Sequence, residues 1–341
     1  MPHLFYTPVP LTPLPWKISY RSGLFFTGSC FAESMGNKFL EKKFRVTINP
    51  FGILYNPASI ATALNRIVEG TPYSASELIA SEGLYHSLDH HGRFSGSNPE
   101  LVLSEINREL SLAQTRLKQA DFLFITPGTA QVFLWKASGR VAGNCHKLPA
   151  GQFETAMLSV GEATSLLSNA LERVVTMNPQ IKLIFTLSPV RYIKGGAHQS
   201  QTAKATLLLA LNELCNHFSA RSFYFPAYEI MLDELRDYRF YAEDMIHPSE
   251  IAVSYLFHKV AETMIEEESL KLSHEIDKLC KACGHRLLNP SPGAVSDFAT
   301  GQLHQIAALK ERCLRYGISL AREESYFGGL LSQHGNQTPS S

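Results

Sequence analysis

The chain has 341 residues, and its 45% hydrophobic content is enough for a sizeable core in one large domain or in two. Its 31 basic residues balance its 31 acidic residues, which argues against a strongly basic surface, so we expect no nucleic-acid partner. The proline-rich start lacks the form of a signal peptide, and no segment has the roughly 20 apolar residues that cross a bilayer. The sequence therefore predicts a soluble, cytoplasmic protein without a membrane partner.

Short apolar segments alternate with longer segments of helical periodicity from residue 24 to residue 265. Alternation of this kind favours βαβ units, so we predict an α/β fold with a doubly wound parallel sheet of about five strands. The predicted strands cover residues 24–27, 44–48, 122–126, 182–187 and 222–225. The predicted helices cover residues 31–43, 57–69, 99–119, 153–177, 200–217 and 249–265.

Two polar segments interrupt this alternation. Residues 71–98 predict a loop region with a short hairpin at most, and residues 129–150 predict a second insertion with a hairpin around Ser138. The first insertion contains three histidines, namely His86, His90 and His91. No carboxylate or thiol stands at an interval from them that fits a metal site, so we expect neither a metal nor a cofactor.

The sequence after residue 265 has a different character, with amphipathic helical segments at 266–288 and 299–321. The segment Asn289-Pro290-Ser291-Pro292-Gly293 between them predicts the turn of a helical hairpin. We expect this hairpin either to pack on the core or to mediate self-association into a homo-oligomer. The predicted domains are residues 1–265 for the α/β domain, 266–330 for the helical extension and 331–341 for a disordered tail.

Ser29 follows the first predicted strand and directly precedes a predicted helix. A turn of this kind places a serine hydroxyl at the edge of a parallel sheet, beside the free amides of a helix N-terminus. Such a serine becomes a nucleophile when a neighbouring base takes its proton. Serine is also a common helix cap, and the residues alone leave both interpretations open.

Asp244 and His247 stand three residues apart, shortly before the last predicted helix of the α/β domain. In a turn, this spacing lets a carboxylate fold back on an imidazole and fix its tautomer. The alternative is a turn-forming aspartate and an exposed histidine at a helix start. Together with Ser29, the pair supplies the residue types of a Ser-His-Asp triad, provided that the two segments meet in space.

Four stretches of the chain carry a resemblance to a known protein family. They read Gly28-Ser29-Cys30-Phe31-Ala32, Asn49-Pro50-Phe51-Gly52-Ile53-Leu54-Tyr55-Asn56-Pro57, Asn144-Cys145-His146-Lys147 and Phe240-Tyr241-Ala242-Glu243-Asp244-Met245-Ile246-His247-Pro248. From residue 28 to residue 248 the chain resembles the GSCFA-domain proteins, which are similar to the SGNH/GDSL esterase superfamily. The resemblance implies a flavodoxin-like three-layer α/β/α domain in which Ser29 attacks an ester carbonyl, His247 is its base and Asp244 orients His247.

The same resemblance implies an oxyanion hole made of the Ser29 amide, a glycine amide after the second strand and an asparagine side chain. Gly52 matches the glycine, but Ala130 stands where the asparagine is expected. One such donor is typically worth roughly 3–4 kcal/mol, or about 10²–10³ in rate. The candidates to replace it are Gln131 and Asn144, which we favour, and Thr129 and Asn56.

Two further residues are candidates for substrate binding. Arg191 follows a predicted strand at its carboxyl end, where open α/β sheets bind ligands, and it either binds an anionic group or pairs with an acidic residue. His146 lies in a loop that we expect to line the pocket. The resemblance implies a serine esterase that acts on a small O-acyl ester, including one on a carbohydrate. The alternatives are an O-acyltransferase with the same site and a catalytically weak ligand-binding module with the same fold.

Overall fold

The computed structural model describes residues 6–284 and 291–334, which fall into two compact units. Within the described residues, the first unit contains 6–16, 22–38 and 45–264, and the second contains 17–21, 39–44, 265–284 and 291–334. The strands are β1 (Gly23–Gly28), β2 (Arg45–Ile48), β3 (Leu78–Ser81), β4 (Leu84–Ser87), β5 (Phe122–Thr126), β6 (Gln131–Trp135), β7 (Arg140–Ala142), β8 (Phe153–Met157), β9 (Lys182–Phe185) and β10 (Ser222–Tyr224).

The helices are α1 (Cys30–Glu41), α2 (Pro57–Glu69), α3 (Pro99–Lys118), α4 (Val160–Met177), α5 (Ala197–His217), α6 (Ala227–Glu229), α7 (Glu250–Met264), α8 (Glu267–Gly284), α9 (Pro292–Leu314) and α10 (Ala321–His334). The short α6 continues as a π-helical turn at Ile230–Glu234. In the part of the chain that the structure describes, no helix combines the length and the apolar character that a bilayer span requires.

Five parallel strands form the central sheet of the first unit, in the order β2-β1-β5-β9-β10. This order confirms the predicted doubly wound parallel sheet, and it is the flavodoxin-like order in which the winding reverses between β1 and β5. Ligands in such folds bind outside the carboxyl ends of the strands at that reversal. Ser29 follows β1, and Thr129 follows β5, so both lie near this point.

The core of the first unit lies where the helices pack on the sheet. Leu64, Leu171 and Leu211 of the packed helices α2, α4 and α5 are fully buried. They belong to one apolar cluster with Leu123 of β5 and Phe185 of β9. Strands that are buried in this way account for the apolar runs in the sequence, which alternate little between polar and apolar residues.

The two predicted insertions contain small antiparallel sheets. The first holds the hairpin β3–β4, as predicted, and the second holds the hairpin β6–β7. The prediction of one helix over 153–177 is wrong at its start, because residues 153–157 form β8 and pair with β6. A capping box then begins α4, since Ser159 Oγ accepts the amide of Glu162 and the Glu162 carboxylate accepts the amide of Ser159.

Among its described residues after 264, the second unit contains three helices rather than the predicted hairpin of two. The helix expected from residue 299 begins at Pro292, where Ser291 is the N-cap, and α10 follows it. Residues 331–334, predicted as the start of a disordered tail, belong to α10. The rest of that tail (335–341) and part of the predicted turn, including Asn289 and Pro290, lie outside the described residues.

Residues 17–21 and 39–44, which the sequence assigned to the α/β domain, belong to the second unit. The physical reason is Tyr20, which is almost completely buried there. Its amide donates to Ser269 Oγ at 3.2 Å, and its ring stacks on Phe44 with centroids 4.2 Å apart. These contacts join segments that are far apart in the chain.

Candidate active site

Ser29 lies in a tight turn between β1 and α1. Gly28 has φ +138°, and a Cβ there would lie 2.3 Å from the carbonyl oxygen of Thr126, so only glycine fits. The Gly28 amide donates to Asn49 Oδ1 at 2.9 Å, and the Ser29 amide donates to Thr126 O at 2.9 Å. The backbone on both sides of the Ser29 side chain is therefore held in place.

The Ser29 hydroxyl is buried, and Oγ has no hydrogen-bond partner among the described residues. The Ser29 carbonyl accepts the amide of Glu33 at 3.3 Å, which puts Ser29 at the N-cap position of α1. Its side chain nevertheless makes no capping bond. A buried hydroxyl without a partner costs free energy, so the capping interpretation does not explain this side chain.

Ser29 and His247 line the same cavity, which has a volume of about 380 Å³. The residues that line it are Ser29, Cys30, Tyr55, Gly128, Thr129, Ser188, Val190, Arg191, Tyr192, Ile193, Lys194, Ile246 and His247. They come from the ends of β1, β5 and β9, from the loop between β2 and α2, and from the loop before α7. The cavity therefore lies at the carboxyl edge of the sheet, where this fold binds ligands.

Asp244 and His247 form the contact that their spacing predicted. His247 Nδ1 lies 2.6 Å from Asp244 Oδ2, and Oδ1 accepts the amides of Ile246 and His247. Met245 folds the turn with φ +56°. The bonds from the His247 amide and side chain hold the pKa of Asp244 at about 2, below its usual value. An ionised carboxylate on Nδ1 keeps the proton there and leaves Nε2 as the acceptor.

The third contact of a triad, between Ser29 Oγ and His247 Nε2, is not formed. The Asp244 and His247 side chains are 46% and 48% exposed, whereas Ser29 is buried. The structure thus brings Ser29 and His247 to one cavity, with Asp244 bonded to His247, but leaves the hydroxyl and the imidazole outside hydrogen-bond reach. Catalytic hydrogen bonds are often long in unliganded enzymes and tighten only when substrate binds.

Both backbone amides that the resemblance assigns to an oxyanion hole already donate to carbonyl groups. The Ser29 amide donates to Thr126 O, and the Gly52 amide donates to Asn49 O at 2.7 Å. Gly52 also lies outside the lining of the Ser29 cavity. Its φ is +79°, and a Cβ there would lie 2.2 Å from the Cβ of His91, which explains the glycine on structural grounds.

Of the four residues proposed to replace the missing asparagine, Thr129 alone lines the Ser29 cavity. Gln131, Asn144 and Asn56 line a neighbouring cavity of about 420 Å³. Two of them have structural bonds there, since Asn56 Oδ1 caps α2 and Asn144 Oδ1 accepts the amide of His146. The two cavities share the lining residues Tyr55, Thr129, Tyr192 and Lys194.

His146 lines neither of these two cavities, contrary to expectation. Its ring stacks on His86, and its Nε2 lies 2.7 Å from the carbonyl oxygen of Ser87. Burial lowers the pKa of His146 to about 4, so the ring is neutral at physiological pH. Arg191, in contrast, does line the Ser29 cavity.

A protein-family model also matches the part of the sequence that contains these residues. The model of the GSCFA family matches residues 23–260, which is more than half of the chain. The chain belongs to the GSCFA family. No curated protein matches it in a sequence comparison. The GSCFA match contains Ser29, Asp244 and His247, and it ends before α8–α10.

The GSCFA region also contains a buried lysine that sequence analysis missed. Lys204 of α5 is 2% exposed, and its Nζ donates to the Ser188 carbonyl at 2.5 Å. Ser188 lines the Ser29 cavity, so the ammonium lies just behind the cavity wall. Burial lowers the pKa of Lys204 to about 7. Lys204 lies at helical spacing from Leu207 and Leu211, on the same apolar face of α5. This pattern in the sequence could have predicted that the lysine is buried.

Proposed function

We propose that this GSCFA-family chain is a serine acyl hydrolase that cleaves small O-acyl esters. Ser29 is the nucleophile, His247 the base and Asp244 the residue that orients His247. The observation that carries the proposal is the buried Ser29 hydroxyl, which has no hydrogen-bond partner among the described residues and lies in the cavity that His247 also lines. The resemblance to SGNH esterases supports the same roles and adds carbohydrate esters as a substrate class.

The reaction proceeds through an acyl-enzyme. Ser29 Oγ attacks the ester carbonyl while its proton passes to His247 Nε2, and His247 then protonates the departing alcohol. Water resolves the acyl-enzyme by the same route in reverse. His247 must come within about 2.6–3.2 Å of Ser29 Oγ in the reacting complex. Because the Asp244–His247 turn is about half exposed, little packing opposes that movement.

The oxyanion needs donors other than the two amides that are already engaged. Thr129 Oγ1 accepts the Gln131 amide at 3.1 Å, which leaves its own proton for a ligand. The first turn of α1, which begins at Cys30, adds the partial positive charge of a helix N-terminus. We assign oxyanion stabilisation to the Thr129 hydroxyl and to the N-terminus of α1.

The test of the proposal is Ser29→Ala. We expect this variant to lose turnover of 4-nitrophenyl acetate and to lose labelling by a fluorophosphonate probe, because both require the nucleophilic hydroxyl. Ser34→Ala is the matched control, since Ser34 lies on α1 and its hydroxyl donates to Cys30 O. Labelling of Ser29→Ala at the wild-type level would reject the assignment.

A ligand-binding module with the same fold is the second candidate function. The observations that favour it are the engaged amides of Ser29 and Gly52 and the missing Ser29–His247 hydrogen bond. A wild-type chain that hydrolyses no ester in a broad screen, takes up no probe and is stabilised by a ligand would favour the module. An acyltransferase would differ from the hydrolase in forming a new ester when an acceptor alcohol is added.

A further inference from the structure

The described lining of the cavity that contains Ser29 includes two cationic side chains and no acidic one. Arg191 and Lys194 are its fixed positive charges, and no aspartate or glutamate stands among the described residues that line it. The neighbouring cavity adds Lys147 and likewise has no acidic residue in its described lining. This local excess of positive charge occurs in a chain whose formal net charge is zero.

The guanidinium of Arg191 has no ion-pair partner in the described part of the chain. Its amide donates to the carbonyl of Ile246 at 3.4 Å, but its guanidinium makes no hydrogen bond or ion pair with any residue in the described ranges. Elsewhere in the first unit, Arg140 pairs with Asp89 and Arg173 pairs with Glu69. The alternative that the sequence left open, an acidic partner for Arg191, is therefore not found.

Two phenols, those of Tyr228 and Tyr241, lie close enough to Arg191 for its charge to act on them. Burial raises the pKa of Tyr241, and the charge of Arg191 opposes that rise. Burial also raises the pKa of Tyr228, and both the Gln201 hydrogen bond and the charge of Arg191 oppose that rise. Neutral phenols leave the guanidinium charge uncompensated.

Lys204 lies behind the cavity wall and is only partly protonated at neutral pH, because burial lowers its pKa to about 7. Lys204 donates to Ser188 O, its Nζ lies 5.6 Å from the centre of the Tyr228 ring, and it pairs with no carboxylate of the described chain. Burial raises the pKa of the neighbouring Cys30 thiol, and the Lys204 charge opposes that rise. Arg191 and Lys194 thus place two positive charges on the described lining, whereas Glu33, which acts on Cys30, and Asp244, which binds His247, lie outside it.

We propose that the ester bound in this cavity carries an anionic group, such as a carboxylate or a phosphate, and that Arg191 binds it. The inference rests on the proposed function of Ser29 and names its substrate class. A guanidinium presents paired N–H donors that match a carboxylate or phosphate, and such charge-assisted bonds are stronger than neutral ones. The volume of about 380 Å³ falls within the range of small-molecule sites.

Three esters test the proposal on the full-length chain. The neutral reference is 4-nitrophenyl acetate, 4-nitrophenyl hemiglutarate has the anion on the acyl side, and 4-acetoxybenzoate has it on the alcohol side. We measure the ratio of kcat/KM for each anionic ester to kcat/KM for the neutral ester. The wild type is expected to prefer at least one anionic ester, and the responding ester shows on which side the anion lies.

Arg191→Met is expected to lower the ratio of kcat/KM for the anionic ester to kcat/KM for the neutral ester by about 10–100-fold. This is the effect of one or two charge-assisted hydrogen bonds. Arg116→Met is the matched control, because Arg116 lines a separate cavity with Gly23, at the amino end of β1, and should leave the ratio unchanged. A wild type that prefers the neutral ester, or an unchanged ratio in Arg191→Met, would overturn the inference while the esterase stands.

A binding experiment separates this inference from the proposed function. If the wild type hydrolyses none of the esters, the esterase assignment fails, and calorimetry with glutarate and the neutral diamide glutaramide still tests the anion site. Binding of glutarate alone, lost in Arg191→Met, would retain the anion site in a ligand-binding module. Failure of glutarate to bind, or equal binding of the two compounds, would overturn it.

Discussion

Asp244 and His247 lie in one turn, in which the carboxylate accepts two backbone amides and contacts the imidazole. Their spacing and the family resemblance both predicted this pair, and the observed bond joins His247 Nδ1 and Asp244 Oδ2. Local contacts of this kind can be predicted because both partners belong to one turn. Ser29 and His247 are 218 positions apart in the sequence, and only the fold brings them to one cavity.

Asp244→Asn tests the role of the carboxylate. The asparagine keeps an oxygen for the amides of Ile246 and His247, but its side-chain NH₂ cannot hold the proton on Nδ1 of the imidazole. We expect kcat/KM for an ester substrate to fall by about 10²–10⁴-fold. Asp237→Asn, a change of the same kind in the same loop, should retain activity. Equal activity of the two variants would contradict the role of Asp244.

Lys204 predicts a pH dependence of stability. Its pKa is about 7 in the folded chain and 10.5 for the free side chain, so the unfolded state binds the proton more tightly between these values. The free energy of unfolding of the wild type should therefore rise with pH relative to Lys204→Met, by at most about 1.4 kcal/mol per pH unit. Urea denaturation of both proteins from pH 6 to 10 measures this difference. A pH-independent difference would contradict the account.

At the scale of elements, the β1–α1 turn depends on Gly28. We expect Gly28→Ala to lower the free energy of unfolding by about 2–4 kcal/mol, because the new Cβ would clash with Thr126 O at a strained φ. Gly139→Ala is the control, since its φ is +70° but a Cβ would meet nothing within 4 Å, and it should cost about 1 kcal/mol. Equal losses in urea denaturation would contradict the clash.

Most elements were predictable because their signals are local. The strand at 122–126 and the helix at 57–69 agree with the structure residue for residue, since apolar runs, Asn56 and Gly70 mark their ends. The strand β8 was missed because its residues merge into the helical pattern that follows, and its stability depends on pairing with β6. Lys204 was missed for a similar reason, since its burial follows from the packing of α5.

For the whole molecule, the sequence predicted a boundary after residue 265 but not that two earlier segments belong to the second unit. The segments 17–21 and 39–44 join the second unit through the burial of Tyr20 against Phe44 and Ser269. Self-association through α8–α10 remains a proposal, because the length and polarity of these helices do not identify a partner.

Tyr20→Ala tests this division. The substitution removes a fully buried ring, so we expect the free energy of unfolding to fall by about 3–5 kcal/mol. Hydrogen exchange should increase more in α8–α10 than in β5, because the lost contacts belong to the second unit. Tyr326→Ala on α10 removes a ring that is 41% exposed and should cost about 1 kcal/mol or less. A uniform increase in exchange across both units would contradict the division.

The central claim is that Ser29 is a nucleophile, and peptide mapping of the probe-treated wild-type chain tests it most directly. After incubation with a fluorophosphonate, proteolysis and mass spectrometry locate the modified residue without any substitution. The account predicts one adduct per chain, on Ser29 in the peptide that contains Gly28 and Cys30. An adduct on another residue, or an unmodified chain, would contradict it.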